Sequence, residues 1–127
     1  MSRYARSFDE LEVYRKSLEL QQLLFETSKS FPREEMFSLT DQLRRSSRSI
    51  GANIAEAWQK RRYKAHFVSK LTDSDAEQSE TCHWITTAKM CNYISCETYA
   101  VLLEKSREVG RLLGSMINNA SSWCDRS

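Results

Sequence analysis

One proline, Pro32, and three glycines, Gly51, Gly110 and Gly114, are all the backbone punctuation in this chain of 127 residues. That scarcity constrains the fold more than any other feature. Strands joined by tight turns draw on Gly and Pro for their dihedral angles, and a β-rich chain needs many more of both. Long helices with short links need few. The length suits one domain with one core. The reading is therefore all-α: a single domain over 1–127, with helices at about 8–30, 38–60, 63–90 and 95–122.

Apolar spacing supports each helix. The first opens with a candidate capping box, Ser7-Phe8-Asp9-Glu10. Leu11, Tyr14, Leu18 and Phe25 follow as one stripe, with Val13, Leu20 and Leu24 beside it. Its apolar face is wider than a four-helix core needs, which points to oligomerisation. Pro32 is expected to stop it, since the residue before a proline is pushed out of helical geometry. The second starts near Ser38, a candidate N-cap. Leu39, Leu43, Ile50, Ile54, Ala57 and Trp58 share one arc, which predicts an end between 59 and 63, before Arg61 lands on that arc. In the third, Phe67, Leu71, Ser74, Gln78, Thr81, Ile85 and Ala88 form a partly polar seam suited to close helix approach. The fourth is capped by Ser95 and carries Tyr99, Leu102, Val109, Leu113, Met116 and Ala120, widened by Leu103, Leu112 and Ile117. Short links at 31–38 and 91–95 favour antiparallel neighbours. The expected architecture is an up-down-up-down four-helix bundle. Trp58, Trp84 and Trp123 are expected as core or interface anchors.

The net charge is only +2, yet it is sorted along the chain. Residues 41–64 hold seven cations, Arg44, Arg45, Arg48, Lys60, Arg61, Arg62 and Lys64, against Asp41 and Glu56. That segment is +5, which leaves −3 for the remainder. Sorted charge speaks to partners more than the total does. Two readings of the basic clusters stand open. One is a solvated helix face, with the later cations suiting a helix C-terminus. The other is a surface for nucleic-acid phosphates, which reward fixed positive charge through counterion release whatever the base sequence. Tyr63 could stack on a base. The acids Asp73, Asp75, Glu77 and Glu80 form a solvated face or meet the basic segment of a neighbouring copy.

No cofactor or metal is expected. Glu80-Thr81-Cys82-His83 contains one Glu-x-x-His, whereas di-iron bundles use that spacing twice with two further glutamates. Cys82, His83, Cys91 and Cys96 lack the paired spacing of a zinc site. The cysteines, Cys124 included, do not resemble a small disulfide framework. The opening MSRYARSFDELEVY lacks the apolar core of a signal peptide, and no apolar run approaches the ~20 residues of a membrane span. A cytoplasmic protein with reduced thiols is expected. No nucleophile–base pair or phosphate-cradling loop is present, so the chain reads as a non-enzyme.

The run SIGANIAEAWQKR, preceded by LTDQLRRSSR, resembles the four-helix-bundle family encoded by intervening sequences of bacterial 23S ribosomal RNA genes. FDELEVYRKSLEL resembles it too. So does AEQSETCHWITTAKMCNYIS, where Glu77 or Glu80, Thr81 and Trp84 fall on the family's Glu-x-x-Thr-x-x-Trp pattern, followed by Tyr93, Ile94 and Ser95. The likeness covers about 8–122. Gly51 stands where the family usually has Pro, and Ala57 where it usually has Gly. The resemblance implies an all-α subunit in a ring-shaped homopentamer, with a link to RNA. A related bundle is an accessory to the reverse transcriptase of diversity-generating retroelements, and Glu108–Ser115 resembles that branch. Asn53 and Glu56 lie in the most specific stretch and read as structural hydrogen-bonding residues. The expected function is binding of structured RNA or DNA through the seven cations. The alternative is an oligomeric scaffold that docks a protein partner, such as a nucleic-acid enzyme, without direct nucleic-acid affinity.

Overall fold

The computed structural model describes residues 5–124. The single-domain reading of 1–127 extends over residues 1–4 and 125–127, which lie outside the described ones. Among the described residues there are five α-helices and no strand: α1 (Glu12–Ser28), α2 (Asp41–Gln59), α3 (Lys64–Met90), α4 (Cys96–Asn118) and α5 (Ala120–Trp123). The four long helices form a bundle in which α1 touches α2 and α4, and α3 touches α2 and α4.

Helix termini depart from the sequence reading in three places, each through a competing side-chain bond. The Ser7 box does not form. Ser7 Oγ donates to Asp9, Glu10 Oε1 accepts from the Arg6 amide at 2.9 Å, and Phe8–Glu10 becomes a 3₁₀ turn before α1. Ser38 does not cap α2 either; its hydroxyl donates to Glu35 Oε1 at 2.7 Å. A 3₁₀ turn (Arg33–Glu35) and a π turn (Met36–Thr40) lead into α2 instead. Pro32 is not the stop of α1, which ends at Ser28, where Ser28 and Ser30 hydroxyls bond back to the Phe25 and Thr27 carbonyls. Such back-bonds compete with the helical ladder.

The fourth helix, expected to run to about 122, ends at Asn118 and is followed by the short α5, whereas other termini follow expectation. Ser95 Oγ accepts from the Thr98 amide at 3.0 Å and caps α4. α2 ends at Gln59 without Gly or Pro because Arg61 closes it: its guanidinium lies 3.5 Å from the Trp58 ring centre and its Nε donates to the Trp58 carbonyl at 2.8 Å. α3 ends on Asn92, whose φ of 61° is the left-handed turn residue of a Schellman motif. The Tyr93 amide reaches Ala88 O at 2.9 Å and the Asn92 amide reaches Lys89 O at 3.0 Å.

The core of α2 is the predicted arc, Leu39 to Trp58, fully buried. All seven residues of the α3 seam are buried as well. In α1 the core stripe is Val13, Ser17, Leu20, Leu24 and Ser28, not the expected Tyr14–Leu18–Phe25 line. Leu18 is left 37% exposed and Leu23 38%, so the wide apolar face continues onto the surface. In α4, Tyr99 is only half-buried and Ser106 takes a core position.

Small polar residues are what let the helices approach. Ser46 and Thr81 hydroxyls lie 2.9 Å apart, and Ser74 Oγ donates to the Ile50 carbonyl at 2.8 Å. Gln78 Nε2 donates to Ser106 O at 2.9 Å and to Ser106 Oγ at 3.2 Å. A β-carbon at Gly51 would stand 3.2 Å from Ser17 Oγ, so glycine there answers the approach of α1.

The two links at one end of the bundle are tied by Tyr93 Oη, which donates to Glu35 Oε2 at 2.7 Å, with Phe31 stacked at 5.7 Å. That bond holds the Tyr93 phenol protonated up to about 12 and pulls the Glu35 carboxyl down, the latter mainly through Ser38 and then Tyr93. A phenol pKa raised by folding contributes stability that is complete below the unfolded value and lost as pH rises through the folded one. An alkaline absorbance titration is expected to show one tyrosine ionising late, near 12. Tyr93→Phe should remove that late step and leave the others in place.

Candidate nucleic-acid interface

α2 carries one basic cluster and leads directly into the other. Arg44, Arg45 and Arg48 lie on its first half. Lys60 to Lys64 form the turn into α3. At 1.5 Å per residue, Arg45 and Lys60 are about 22 Å apart along the axis.

The first cluster divides over the outer side of α2. Arg44 and Arg48 lean toward α1, their guanidinium carbons 4.7 and 5.6 Å from the Phe25 ring centre, and Lys29 sits 4.8 Å from the same ring. Arg44 is half-buried, and its Nε donates to Ser28 Oγ at 2.8 Å. Arg45 leans toward α3 and pairs with Glu80 at 3.2 Å. Between them lies an open concavity of about 490 Å³, bordered by Arg44, Arg45, Arg48, Gln42, Ser49 and Asp41. A second, about 370 Å³, adjoins it through Arg48 and Ala52 and runs along Leu18 and Ala55.

In the second cluster Arg61 is committed to Trp58, as described. Lys60, Arg62 and Lys64 are exposed. Among the described residues, Arg48, Lys60, Arg62 and Lys64 make no ion pair.

Asn53 and Glu56 each find a partner within the chain. Asn53 Nδ2 donates to the Ser49 carbonyl at 2.9 Å within α2. Glu56 pairs across to Lys70 on α3 at 3.2 Å, a bond that raises the Lys70 pKa. The acids of α3 also find partners inside the chain, Glu80 with Arg45 and Asp73 with Lys70. Glu80 Oε2 further accepts from Trp84 Nε1 at 3.1 Å. Glu77 differs: its Oε1 is buried with no hydrogen-bond partner, and desolvation, then the charge of Glu80, raises its pKa. Among the described residues no three His, Cys, Asp or Glu side chains come together to hold a metal ion. Cys82, Cys91 and Cys96 form no disulfide. Among the described residues no helix is long and apolar enough to cross a membrane.

Three participants escaped sequence reasoning. Phe25 read as a core stripe residue, yet it is the ring on which three cations converge. Lys29 and His66, whose ring meets Tyr63 at 5.4 Å, carried no motif signal; only the spacing of Phe25 and Lys29, four apart at the end of α1, hinted at their contact.

Fold and surface together define an all-α bundle with one basic cluster on its second helix and another in the turn that follows it. The chain belongs to the 23S rRNA-intervening sequence protein family, which matches residues 9–115. A solved structure from Bacteroides thetaiotaomicron, described as a protein of unknown function from the S23 ribosomal protein family, shares 34% identity. The match covers 84% of this chain and 95% of that one, with a TM-score of 0.75. No protein of curated function matches the chain.

Proposed function

We propose that this is a non-enzymatic, homo-oligomeric bundle protein that binds structured RNA or DNA through the basic surface of α2. The observation that carries the reading is the clustering of exposed cations, Arg48, Lys60, Arg62 and Lys64, that make no ion pair among the described residues, within a segment, 41–64, of net charge +5. Unpaired surface cations are what phosphate binding needs. Arg45 joins them, since an exposed ion pair such as Arg45–Glu80 contributes only about 0–1 kcal/mol and yields readily to a phosphate. Arg44 and Arg61 serve by holding Phe25 and the α2 terminus.

In this reading the helices run up-down-up-down. Support comes from pairs whose numbers fall on one helix as they rise on the other: Ser46–Thr81, Ile50–Ser74 and Glu56–Lys70, and likewise Lys16–Glu108 and Glu19–Lys105. Subunits assemble into a ring-shaped homopentamer in a bacterial cytoplasm. The exposed Leu18 and Leu23 on α1 support a contact between copies, and Asp75, which makes no ion pair among the described residues, is an acid left for a neighbour's cation. Five copies multiply the basic segment into a belt. Raised salt is then expected to loosen the oligomer, read as mass at low and high ionic strength.

The test is a titration with labelled structured RNA at several salt concentrations. Tight binding with a steep log–log salt slope is expected. Absence of binding at low salt overturns the reading and turns attention to a scaffold that docks a protein partner. One observation favours that second reading: Phe37 is 80% exposed and Met90 77%, at the end where the links around Glu35 and Tyr93 meet.

A further inference from the structure

The turn between α2 and α3 contains an aromatic ring with no structural employment. Tyr63 is 57% exposed and stands apart from the hydrophobic residues packed against the core. It occupies the N-cap position of α3 with extended backbone (φ −123°, ψ 115°), yet its side chain makes no capping bond. A Ser, Thr, Asp or Asn there would cap the helix. Its backbone is well fixed, with the carbonyl accepting from the His66 and Phe67 amides at 3.0 Å and the amide donating to Lys60 O at 3.2 Å. The ring is also buttressed. His66 meets it edge-on at 5.4 Å between ring centres, and the Arg62 guanidinium lies 5.7 Å from its centre.

The flanking sequence is uniformly basic. No acid occurs from 57 to 72, and Lys60, Arg62 and Lys64 flank the ring within four positions. Trp58, by contrast, is buried beneath Arg61 and unavailable. A wet, immobilised aromatic among unpaired cations suits one ligand chemistry: a flat π-face joined to phosphates. That is the nucleotide of an unpaired strand. Duplex base faces are already stacked on one another and cannot reach such a ring, whereas bases in loops and single strands can.

We infer that Tyr63 is a stacking platform for an unpaired nucleobase, with Lys60, Arg62 and Lys64 placed for the phosphates on either side. The proposal rests on the nucleic-acid reading above and adds to it the strand state of the ligand. This end of the bundle selects unpaired nucleotides, while the Arg45–Arg48 surface accepts phosphates of either state.

The test compares wild type, Tyr63→Ala and Tyr63→Phe against two labelled probes, a mixed-sequence single-stranded RNA of roughly twelve nucleotides and a blunt duplex of the same length. Tyr63→Ala is expected to weaken single-strand binding roughly tenfold while leaving duplex binding unchanged. Tyr63→Phe should keep wild-type affinity for both, because stacking needs the ring and not the hydroxyl. Equal effects of Tyr63→Ala on the two probes, or no effect on either, overturn the stacking platform and leave the basic-surface reading standing. If wild type binds neither probe at low salt, the underlying reading fails and the platform with it. The exposure of Tyr63 means that the fold tolerates both variants, and unchanged thermal melting confirms this.

Discussion

Replacing Arg45, Arg48, Lys60, Arg62 and Lys64 together by Gln is expected to lower affinity for structured RNA by on the order of a hundredfold or more at low salt. The log–log salt slope should fall by roughly four per engaged chain, since each phosphate contact contributes about 0.7–0.9. These five are chosen because their side chains are exposed and removing them leaves no buried group stranded. Arg44 and Arg61 are kept. Losing Arg44 would free the Ser28 hydroxyl and uncover Phe25, and losing Arg61 would open the terminus of α2. Among the described residues the only ion pair given up is Arg45–Glu80, at the surface, so thermal stability should change little. Unchanged affinity and slope in a folded variant would remove these cations from any nucleic-acid interface. A uniform loss across unrelated RNA sequences is the expected pattern, because phosphate contacts position without specifying.

Gly110→Ala is expected to destabilise the bundle by about 1–3 kcal/mol, read as a lowered denaturant midpoint, whereas Gly114→Ala should stabilise it by about 0.5–1 kcal/mol. Propensity alone assigns the same sign to both, since both glycines lie inside α4. The neighbours decide otherwise. A β-carbon at Gly110 would come within 2.9 Å of Gln78 Oε1 and 3.0 Å of its Cδ, while at Gly114 it would meet nothing within 4 Å. A long side chain can normally swing aside at little cost. Gln78 cannot, because its amide is held by the Ser106 carbonyl and hydroxyl, and moving it strands buried polar groups. The clasp therefore outweighs the helix-propensity gain. Two stabilised variants would show that Gln78 has another comfortable position.

Much of the fold was legible because burial on a helix repeats at 3.6 residues. The α2 arc and the α3 seam were readable even where their members are Ser, Gln and Thr, since position on the wheel outweighs polarity at any single site. The α1 stripe was misread for the same reason in reverse. Tyr14, Leu18 and Phe25 are more hydrophobic than Ser17 and Ser28, but it is the small serines that are buried, Ser17 beside Gly51 of α2 and Ser28 beneath Arg44. Capping was legible at Ser95 and not at Ser7 or Ser38. Short polar side chains choose among several nearby backbone and carboxylate partners, and that choice depends on where the chain turns.

The candidate site divides along the same line. Residue type and order alone determined the helical class, the family likeness, and the charge sorting that places seven cations between positions 41 and 64. Tertiary structure decided which of those cations remain available. Packing α1 against α2 brought Phe25 and Ser28 to Arg44, packing α3 brought Glu80 to Arg45, and the tight exit from α2 laid Arg61 on Trp58. The helical wheel assigns each side chain a direction, but it contains no information about what stands opposite. Charge belongs to the residue, whereas its availability depends on neighbours distant in sequence that only the assembled bundle supplies.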